Sequence, residues 1–265
     1  MDCQLWRPPE VDVDAGRRVR LGSHRVATAL ETLQGWLLPS RCVLCLDPGQ
    51  SPTLDLCPAC EADLPSNAPA CPLCASPQAA AGPGAPAEPC ARCRADPPPF
   101  AAAVVPYRYA WPADALVRRL KYGRQWTHAR VLGHLLAVHA AAAAAAAQRP
   151  LPQRLLPVPL HPDRERRRGA NQAWEIAHAA GRRLGIAVDA RALERCRDTP
   201  PQAGLDARHR LTNLAGAFRV RALRGARHVA LVDDVMTTGT TLRALATELL
   251  AAGVERVEAW AVARA

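Results

Sequence analysis

The cysteines carry the clearest chemical signal in this sequence. Eight of the ten form Cys-x-x-Cys pairs between residues 42 and 93. Each pair turns two thiolates toward one point, and two pairs supply the tetrahedral set of four sulfur ligands that Zn²⁺ prefers. The eight are Cys42, Cys45, Cys57, Cys60, Cys71, Cys74, Cys90 and Cys93. Because thiolates would fill every position on each metal, none remains for a catalytic water, and we expect two structural zinc ions.

The spacing leaves the pairing of the four knuckles open. Neighbours in sequence would give one site from residues 42–60 and another from residues 71–93, whereas a cross-braced arrangement would join the first pair with the third. Disulfides are disfavoured because no export signal accompanies the cysteines. An iron–sulfur cluster is disfavoured because the pairs are separate knuckles rather than a ferredoxin-like run.

A second chemical signal follows an apolar run near the C-terminus. Residues 229–232 predict a buried parallel strand, and Asp233 and Asp234 stand where it ends, at the edge where open α/β sheets bind ligands. The next residues lead into a helix and are Val235, Met236, Thr237, Thr238, Gly239, Thr240 and Thr241. Their N–H groups and hydroxyls at a helix N-terminus suit a phosphate monoester, and the adjacent carboxylates suit the vicinal hydroxyls of a ribose. We therefore predict a ribose 5-phosphate site; the alternative is a plain helix cap.

Positive charge is concentrated in the C-terminal two thirds. The chain has a formal net charge of +10, and residues 101–265 alone carry +13. Arg164 and Arg168 belong to an arginine-rich turn, which we expect to form a positively charged surface that binds pyrophosphate or a nucleic-acid backbone. Lys121 is the only lysine and is either a phosphate contact or a surface charge. A solvated basic face is the alternative for the arginines.

Aromatic residues cluster among these cations, in a pattern typical of single-strand binding by stacked rings and backbone-neutralising charges. The aromatic residues are Tyr107, Tyr109, Trp111, Tyr122 and Trp126. The interleaved cations are Arg108, Arg118, Arg119, Lys121 and Arg124. Alternating tyrosines on a strand also fit a packed sheet, so core packing is an alternative for this segment.

The elements that would position these residues alternate between strands and helices, which predicts an α/β fold with a parallel sheet flanked by helices. We expect strands at 103–109, 154–158, 229–232 and 256–263, and helices at 112–122, 126–147, 170–184 and 240–252. We divide the chain into an extension with a short helix (1–35), a small Cys-rich zinc module (36–96) and an α/β domain (100–265). No membrane span is expected, since no apolar run reaches about 18 residues.

The string from Asp233 to Thr241 resembles the phosphoribosyl-pyrophosphate (PRPP) binding motif of type I phosphoribosyltransferases. The resemblance implies that fold for residues 100–265 and makes Asp233 and Asp234 the catalytic acid pair that holds the ribose hydroxyls. It implies that residues 235–241 hold the 5-phosphate, with Mg²⁺ accompanying the pyrophosphate. Arg164, Arg168 and Lys121 are added as candidate PRPP contacts.

Further segments resemble the ComF/GntX family of competence-associated proteins, which combines a double zinc ribbon with a phosphoribosyltransferase domain. They are Leu38-Pro39-Ser40-Arg41-Cys42, Lys121-Tyr122-Gly123, Val158-Pro159-Leu160-His161, Arg164-x-Arg166-x-Arg168-Gly169, Arg195-x-Arg197-x-Thr199-x-x-Gln202 and Arg210-x-x-Asn213. Ala170 departs from the family, which usually has an aromatic residue there.

This second resemblance implies a cytoplasmic protein that handles single-stranded DNA in natural transformation, peripheral to the inner-membrane uptake machinery. The implied partners are PRPP, single-stranded DNA and other competence proteins, such as a DNA-uptake helicase or channel. Two alternatives stay open. One is an active Mg²⁺-dependent phosphoribosyltransferase (a pentosyl glycosyltransferase) acting on an unknown acceptor, and the other is a non-catalytic PRPP sensor.

Overall fold

The computed structural model describes residues 40–50, 54–79, 87–123, 126–197, 216–221, 223 and 225–265. The contacts divide the chain into two compact units, Met1–Ala62 and Asp63–Ala265. The extension and helix expected before residue 39, and the segments around Gln202 and Arg210, lie outside the described residues. The domain boundaries expected from the sequence stay predictions.

The described part of the first unit is built around one group of four cysteines. Two antiparallel bridges, Arg41 with Pro48 and Gln50 with Leu54, tighten its turns. One short helix, α1 (Pro58–Ala62), follows. Leu56 is fully buried beside the cysteines and supplies part of a very small core. Because few apolar residues are buried in the described part of this unit, we expect a crosslink such as a metal to contribute to its stability.

The second unit is a mixed α/β structure with a parallel sheet, as the sequence predicts. Its strands are β1 (Ala102–Val104), β2 (Tyr107–Arg108), β3 (Arg154–Pro157), β4 (Ala187–Val188), β5 (Leu193–Arg195), β6 (Phe218–Val220), β7 (His228–Met236) and β8 (Arg256–Arg264). Its helices are α2 (Ala91–Ala95), α3 (Ala113–Gly123), α4 (Trp126–Ala146), α5 (Pro162–Arg168), α6 (Gln172–Leu184) and α7 (Thr240–Ala251). The main sheet runs β1-β8-β7-β3-β4 with β2 also on β8, and β5 pairs with β6 as an antiparallel ribbon.

The core lies around the two central strands. Residues 229–232 of β7 and residues 257–263 of β8 are all buried, because helices cover both faces of a parallel sheet. Such strands read as continuous apolar runs, which is why the sequence identified them. The exposed ends of both strands therefore stand out as places where polar side chains meet the sheet edge.

Helix α4 packs against α6 and the sheet. A Cβ added at Gly133 of α4 would lie 2.5 Å from the Cβ of Ala179 in α6, so the two helices approach closely at this position. By length and composition alone, α4 could also cross a membrane. Half of its most apolar stretch is buried inside the fold. That half-buried state is typical of the core helix of a globular domain.

Two local predictions were wrong. The arginine-rich stretch is not a turn that starts a helix: it is itself a helix, α5, with Pro162 in its first turn and Gly169 as a left-handed cap with φ of 78°. Proline at the start and glycine past the end favour such a helix. Strand β7 also does not stop at residue 232, because it pairs with β8 as far as Met236 opposite Arg264.

The segment with the last four cysteines belongs to the same unit as the sheet. The Ala103 N–H donates to the carbonyl of Pro72 at 3.0 Å. The buried Asn67 amide donates to the carbonyls of Ala75 and Val105 at 2.9 and 3.0 Å. These bonds tie the segment directly to the first edge strand.

Candidate functional site

The candidate site lies at the carboxyl end of β7. Strand β3 ends beside it, since the Val158 N–H donates to the carbonyl of Val232 at 2.9 Å. The carboxyl ends of parallel strands share one edge of the sheet, and the helices that follow them begin there. Helix α7 starts three residues after β7, and α5 starts soon after β3. The topology thus brings the acid pair and the arginine helix to one edge.

The two carboxylates form a compact group with the only lysine. The Asp234 N–H donates to Oδ1 of Asp233 at 2.8 Å. The Lys121 Nζ lies 3.0 Å from Oδ2 of Asp234, and both side chains are mostly buried. Lys121 comes from the last turn of α3, more than a hundred residues away in the chain. The fold therefore places Lys121 at the acid pair.

Burial and the neighbouring carboxylate make the ionised form of Asp233 unfavourable. Burial raises the pKa of Asp233 to about 7, and the negative charge of Asp234 raises it further, against the opposing charges of Lys121 and Arg168. Asp233 therefore ionises only at a cost, which a ligand offering hydroxyl donors or a cation would offset. Arg168 acts on this carboxyl electrostatically, so it too lies near the acid pair.

The residues after the acid pair, 235–241, form the threonine loop. Its first two residues are the end of β7 and its last two begin α7. Gly239 takes φ of 73°, a left-handed conformation that favours glycine, and an added Cβ would also have to displace the flexible end of Met236. The hydroxyls of Thr238 and Thr240 are 2.7 Å apart. Hydroxyls and N–H groups at the start of a helix of twelve residues suit an anion.

The arginines of helix α5 differ in their surroundings. Arg168 donates to Oε1 of Gln172 at 3.3 Å, which holds it near the sheet edge. Arg164 precedes it by one turn and so lies on the same face of α5. Arg166 is exposed and pairs with Asp163. Of the two arginines predicted for the site, Arg168 is electrostatically coupled to the acid pair, and Arg164 lies next to it along the helix.

Arg243 and Arg264 at this edge were missed by the sequence prediction. Arg264 ends β8, and its guanidinium donates to the carbonyl of Met236 at 3.0 Å and to that of Thr237. Arg243, in the first turn of α7, is buried and donates to the Asp96 carboxylate at 2.6 Å. A charge that ends an apolar strand is a weak signal for Arg264. The contact of Arg243 joins residues far apart in the chain, and no local pattern announces it.

The cysteines form two clusters by sequential pairing. Within the described residues, the groups are Cys42, Cys45, Cys57 and Cys60, and Cys71, Cys74, Cys90 and Cys93. In each group the sulfur atoms all lie within 4.8 Å of one another. The cross-braced alternative is therefore not the arrangement found.

The donor sets fit zinc. Burial and neighbouring sulfur atoms raise the pKa values of Cys60 and Cys93, so four thiols in such a cluster do not ionise together unless a cation offsets their charge. Zn²⁺ supplies that charge and takes four sulfur ligands in a closed tetrahedral site. Both clusters are thus compatible with structural zinc ions.

The aromatic segment divides into a buried and an exposed part. Tyr107 is buried, and its hydroxyl lies 3.1 Å from Nε2 of His139, as core packing predicts. Trp111, Tyr122 and Trp126 have 68%, 79% and 49% of their surface exposed. These three exposed rings lie just before α3, in its last turn and at the start of α4.

Comparison with known proteins gives the family. The family model described as a double zinc ribbon domain matches residues 33–94. The DNA utilization protein YhgH of Salmonella typhi is 35% identical over 227 residues, which cover 86% of this chain and 98% of that protein. YhgH of Escherichia coli K12 is 34% identical over 231 residues. Competence protein F of Haemophilus influenzae is 36% identical over 182 residues, 68% of this chain and 80% of that protein. A chain that combines these two cysteine clusters with such identity across almost the whole of its relatives belongs to the ComF family.

Proposed function

We propose that this protein binds PRPP at the end of β7 and handles single-stranded DNA during natural transformation. The acid pair is the main support for PRPP binding. Asp233 and Asp234 lie beside the N-terminus of α7, and Lys121 lies 3.0 Å from Asp234. A sugar phosphate needs hydroxyl acceptors next to an anion site, and these residues supply both. The names of the relatives, competence protein F and DNA utilization protein, support the second half.

Each group has a distinct role in this proposal. The carboxylates of Asp233 and Asp234 accept hydrogen bonds from the ribose hydroxyls. The threonine loop holds the 5-phosphate through its N–H groups and hydroxyls. Lys121 orients Asp234, and Arg168 adds positive charge on the side where pyrophosphate would extend. Mg²⁺ bound with PRPP supplies the charge that neutralises the pyrophosphate oxygens.

The DNA-binding surface in this proposal combines exposed rings with positive charge. Trp111, Tyr122 and Trp126 offer faces on which unpaired bases stack. The half-exposed Arg118 lies on α3, as Tyr122 does, although it pairs with Asp114 at 2.9 Å. The net charge of +13 on residues 101–265 attracts the phosphate backbone. This role places the protein in the cytoplasm beside the uptake machinery, with a helicase or channel as a further partner.

The direct test of the DNA role is the salt dependence of binding to a labelled single-stranded oligonucleotide. In Arg164→Ala with Arg168→Ala, we expect weaker binding and a slope of log K against log salt that is smaller by about 1.4, since each of the two contacts to a single strand contributes about 0.7. The matched control is Arg182→Ala with Arg183→Ala, two exposed arginines at the end of α6.

An unchanged slope in the first variant would move the phosphate contacts away from α5. The exposed rings would then be replaced next, as Trp111→Ala with Tyr122→Ala. If neither pair of substitutions weakened binding, the single-strand role would be wrong for this side of the molecule.

An active phosphoribosyltransferase is the second candidate, and the raised pKa of Asp233 favours it. A carboxyl that titrates near neutrality can exchange a proton with an acceptor nucleophile. A pyrophosphate-release assay separates the enzyme from the other two hypotheses: an enzyme releases pyrophosphate from PRPP when an acceptor is present, whereas a sensor or a DNA-handling protein binds PRPP without turnover. Binding to single-stranded DNA then distinguishes the DNA-handling protein from the sensor.

A further inference from the structure

Residues that follow the second cysteine cluster's ligands in the chain contact Arg264 and Arg243, which flank the threonine loop. At the entry to the loop, Arg264 donates to the carbonyls of Met236 and Thr237, and its other terminal nitrogen donates to Oγ of Ser76 at 3.1 Å. Ser76 stands two residues after Cys74, and their Oγ and Sγ atoms are 3.2 Å apart. A continuous path of polar contacts therefore runs from a cysteine of the cluster to the backbone of the loop.

At the exit from the loop, the contact is made by the chain that leaves the same cluster. Arg243 lies in the first turn of α7, and its guanidinium donates to the carboxylate of Asp96 at 2.6 Å and to the Asp96 carbonyl at 2.9 Å. It also reaches the carbonyl of Pro97 at 3.3 Å. Asp96 follows Cys93 by three residues and caps α2. Ser76 on one side and Asp96 with Pro97 on the other thus contact the arginines that flank the loop, Arg264 and Arg243.

The chemistry of a bound metal would polarise this path in one direction. A zinc-bound cysteine is a thiolate and accepts hydrogen bonds, so the Ser76 O–H donates to Cys74. The lone pairs of Ser76 Oγ are then available to the Arg264 N–H. Arg264 in turn donates to two backbone carbonyls at the point where β7 ends. Without the metal, the four cysteines would no longer be held together, and the position of Ser76 against Arg264 would be less constrained.

We propose that the second cysteine cluster, through Ser76 and Arg264, sets the conformation in which the threonine loop receives its phosphate. Ser76 and Arg264 are positioning residues, and neither is assigned a contact with the ligand. The inference rests on the proposed function, because it concerns the affinity of that site for PRPP. It makes the affinity depend on metal in the second cluster.

The test compares two matched variants of the full chain, Ser76→Ala and Asp47→Ala. Asp47 follows Cys45 by two residues as Ser76 follows Cys74, and it accepts a hydrogen bond from Cys45 at 3.5 Å. Each variant loses one polar neighbour of a cluster, but only Ser76 contacts Arg264. Affinity for PRPP with Mg²⁺ is measured by calorimetry, zinc content by metal analysis and unfolding by heating.

We expect Ser76→Ala to weaken PRPP binding about fivefold, the effect of one hydrogen bond, with zinc content unchanged. Asp47→Ala should leave the affinity within about twofold of the wild type. Ser76→Thr keeps the hydroxyl and should restore the affinity, whereas Arg264→Lys loses the forked geometry and should behave as Ser76→Ala. A purely structural role for Ser76 would lower the unfolding temperature without this selective loss and rescue.

A second readout does not depend on affinity. Because coupling between two sites is reciprocal, saturating PRPP should slow the release of one of two zinc ions to a chromogenic chelator. This protection should persist in Asp47→Ala and vanish in Ser76→Ala.

The outcomes distinguish the two proposals. If the wild type binds no PRPP, the proposed function fails and the inference fails with it. If the wild type binds PRPP but Ser76→Ala and Arg264→Lys bind it equally well and show the same zinc protection, the inference alone is overturned.

Discussion

The central residues are two adjacent acids that the fold holds at an energetic cost. Asp233 keeps some exposed surface, yet its carboxyl is shielded from water and lies beside the carboxylate of Asp234. The Nζ of Lys121 lies 3.0 Å from Oδ2 of Asp234. Residues kept in such an unfavourable state are typical of binding sites, where the ligand supplies the missing partner.

This cost predicts that Asp233→Asn stabilises the ligand-free protein. The pKa of Asp233 is raised on folding, so the native state is favoured at low pH and loses stability as pH rises from about 4 to about 7. The variant escapes this loss, and we expect a gain in unfolding free energy of about 4 kcal/mol at pH 8. Urea unfolding at several pH values measures it. A gain that is equal at pH 4 and pH 8 would contradict the titration of Asp233.

At the scale of elements, the candidate site lies at the carboxyl ends of β7 and β8, and a structural network lies near their amino ends. Their carboxyl ends carry the acid pair and Arg264. Near their amino ends, Glu258 is fully buried, with its carboxylate bonded to Nε2 of His228 and Nε1 of Trp260, both at 3.0 Å, and to Arg149. The group is neutralised and fully hydrogen-bonded, which makes it a structural network rather than a site.

Glu258→Gln should therefore destabilise the fold without touching the candidate site. Burial raises the pKa of Glu258, but the bonds from His228, Trp260 and Arg149 outweigh it and lower the pKa to about 2. The stabilisation is present above the ordinary pKa of 4.5 and is lost as pH falls toward 2. At pH 7 we expect a loss of about 3 kcal/mol in the substituted protein.

The control for this substitution is Glu255→Gln, which removes an exposed pair with Arg227 and should change the stability by less than about 1 kcal/mol. Denaturant unfolding and PRPP calorimetry on both variants decide the point. A large loss of PRPP affinity in folded Glu258→Gln would show that the amino end of the sheet is coupled to the site.

Most elements were predictable because their apolar runs are strong. Strand β8 and helices α3, α4, α6 and α7 begin and end within two residues of the bounds expected from the sequence. Helix α5 was missed because a run of arginines has no apolar face to signal a helix. The short strands β4, β5 and β6 were missed for a similar reason, since two or three residues carry no period.

The site was predictable only where its residues are neighbours in the chain. Asp233 to Thr241 form one local string, so their chemistry could be inferred together. The approach of Lys121 to Asp234 depends on how α3 packs, and sequence reasoning left its role open. The contacts of Arg264 with Ser76 and of Arg243 with Asp96 join residues far apart in the chain, and only the fold reveals them.

At the scale of the whole molecule, two cysteine clusters belong to two different compact units. The first organises a unit whose described core is very small. The second belongs to the unit of the parallel sheet, and Ser76 beside it contacts Arg264, which in turn contacts the threonine loop. We therefore expect different tasks for metals bound at the two clusters, one in forming a module and the other, as proposed above, in positioning the threonine loop.

Protein purified without chelator should contain two zinc ions per chain, because each cluster supplies a closed set of four thiolates. Metal analysis by mass spectrometry checks this number against protein concentration from amino-acid analysis. Iron in place of zinc, or a ratio near one, would contradict two zinc centres. Removing both ions should lower the unfolding temperature, since metal binding contributes to folding free energy.

The central claim is that the acid pair and the threonine loop form a PRPP site, and calorimetry with PRPP and Mg²⁺ tests it most directly. Asp233→Asn with Asp234→Asn removes the charged acceptors without adding bulk. Hydrogen bonds to charged groups contribute about 1.5–3 kcal/mol each, so we expect affinity to fall by at least tenfold. The control, Glu248→Gln with Glu255→Gln, makes the same change in charge on α7 and before β8 and should bind as the wild type does. Equal PRPP affinity in the acid-pair variant and the wild type would contradict the account.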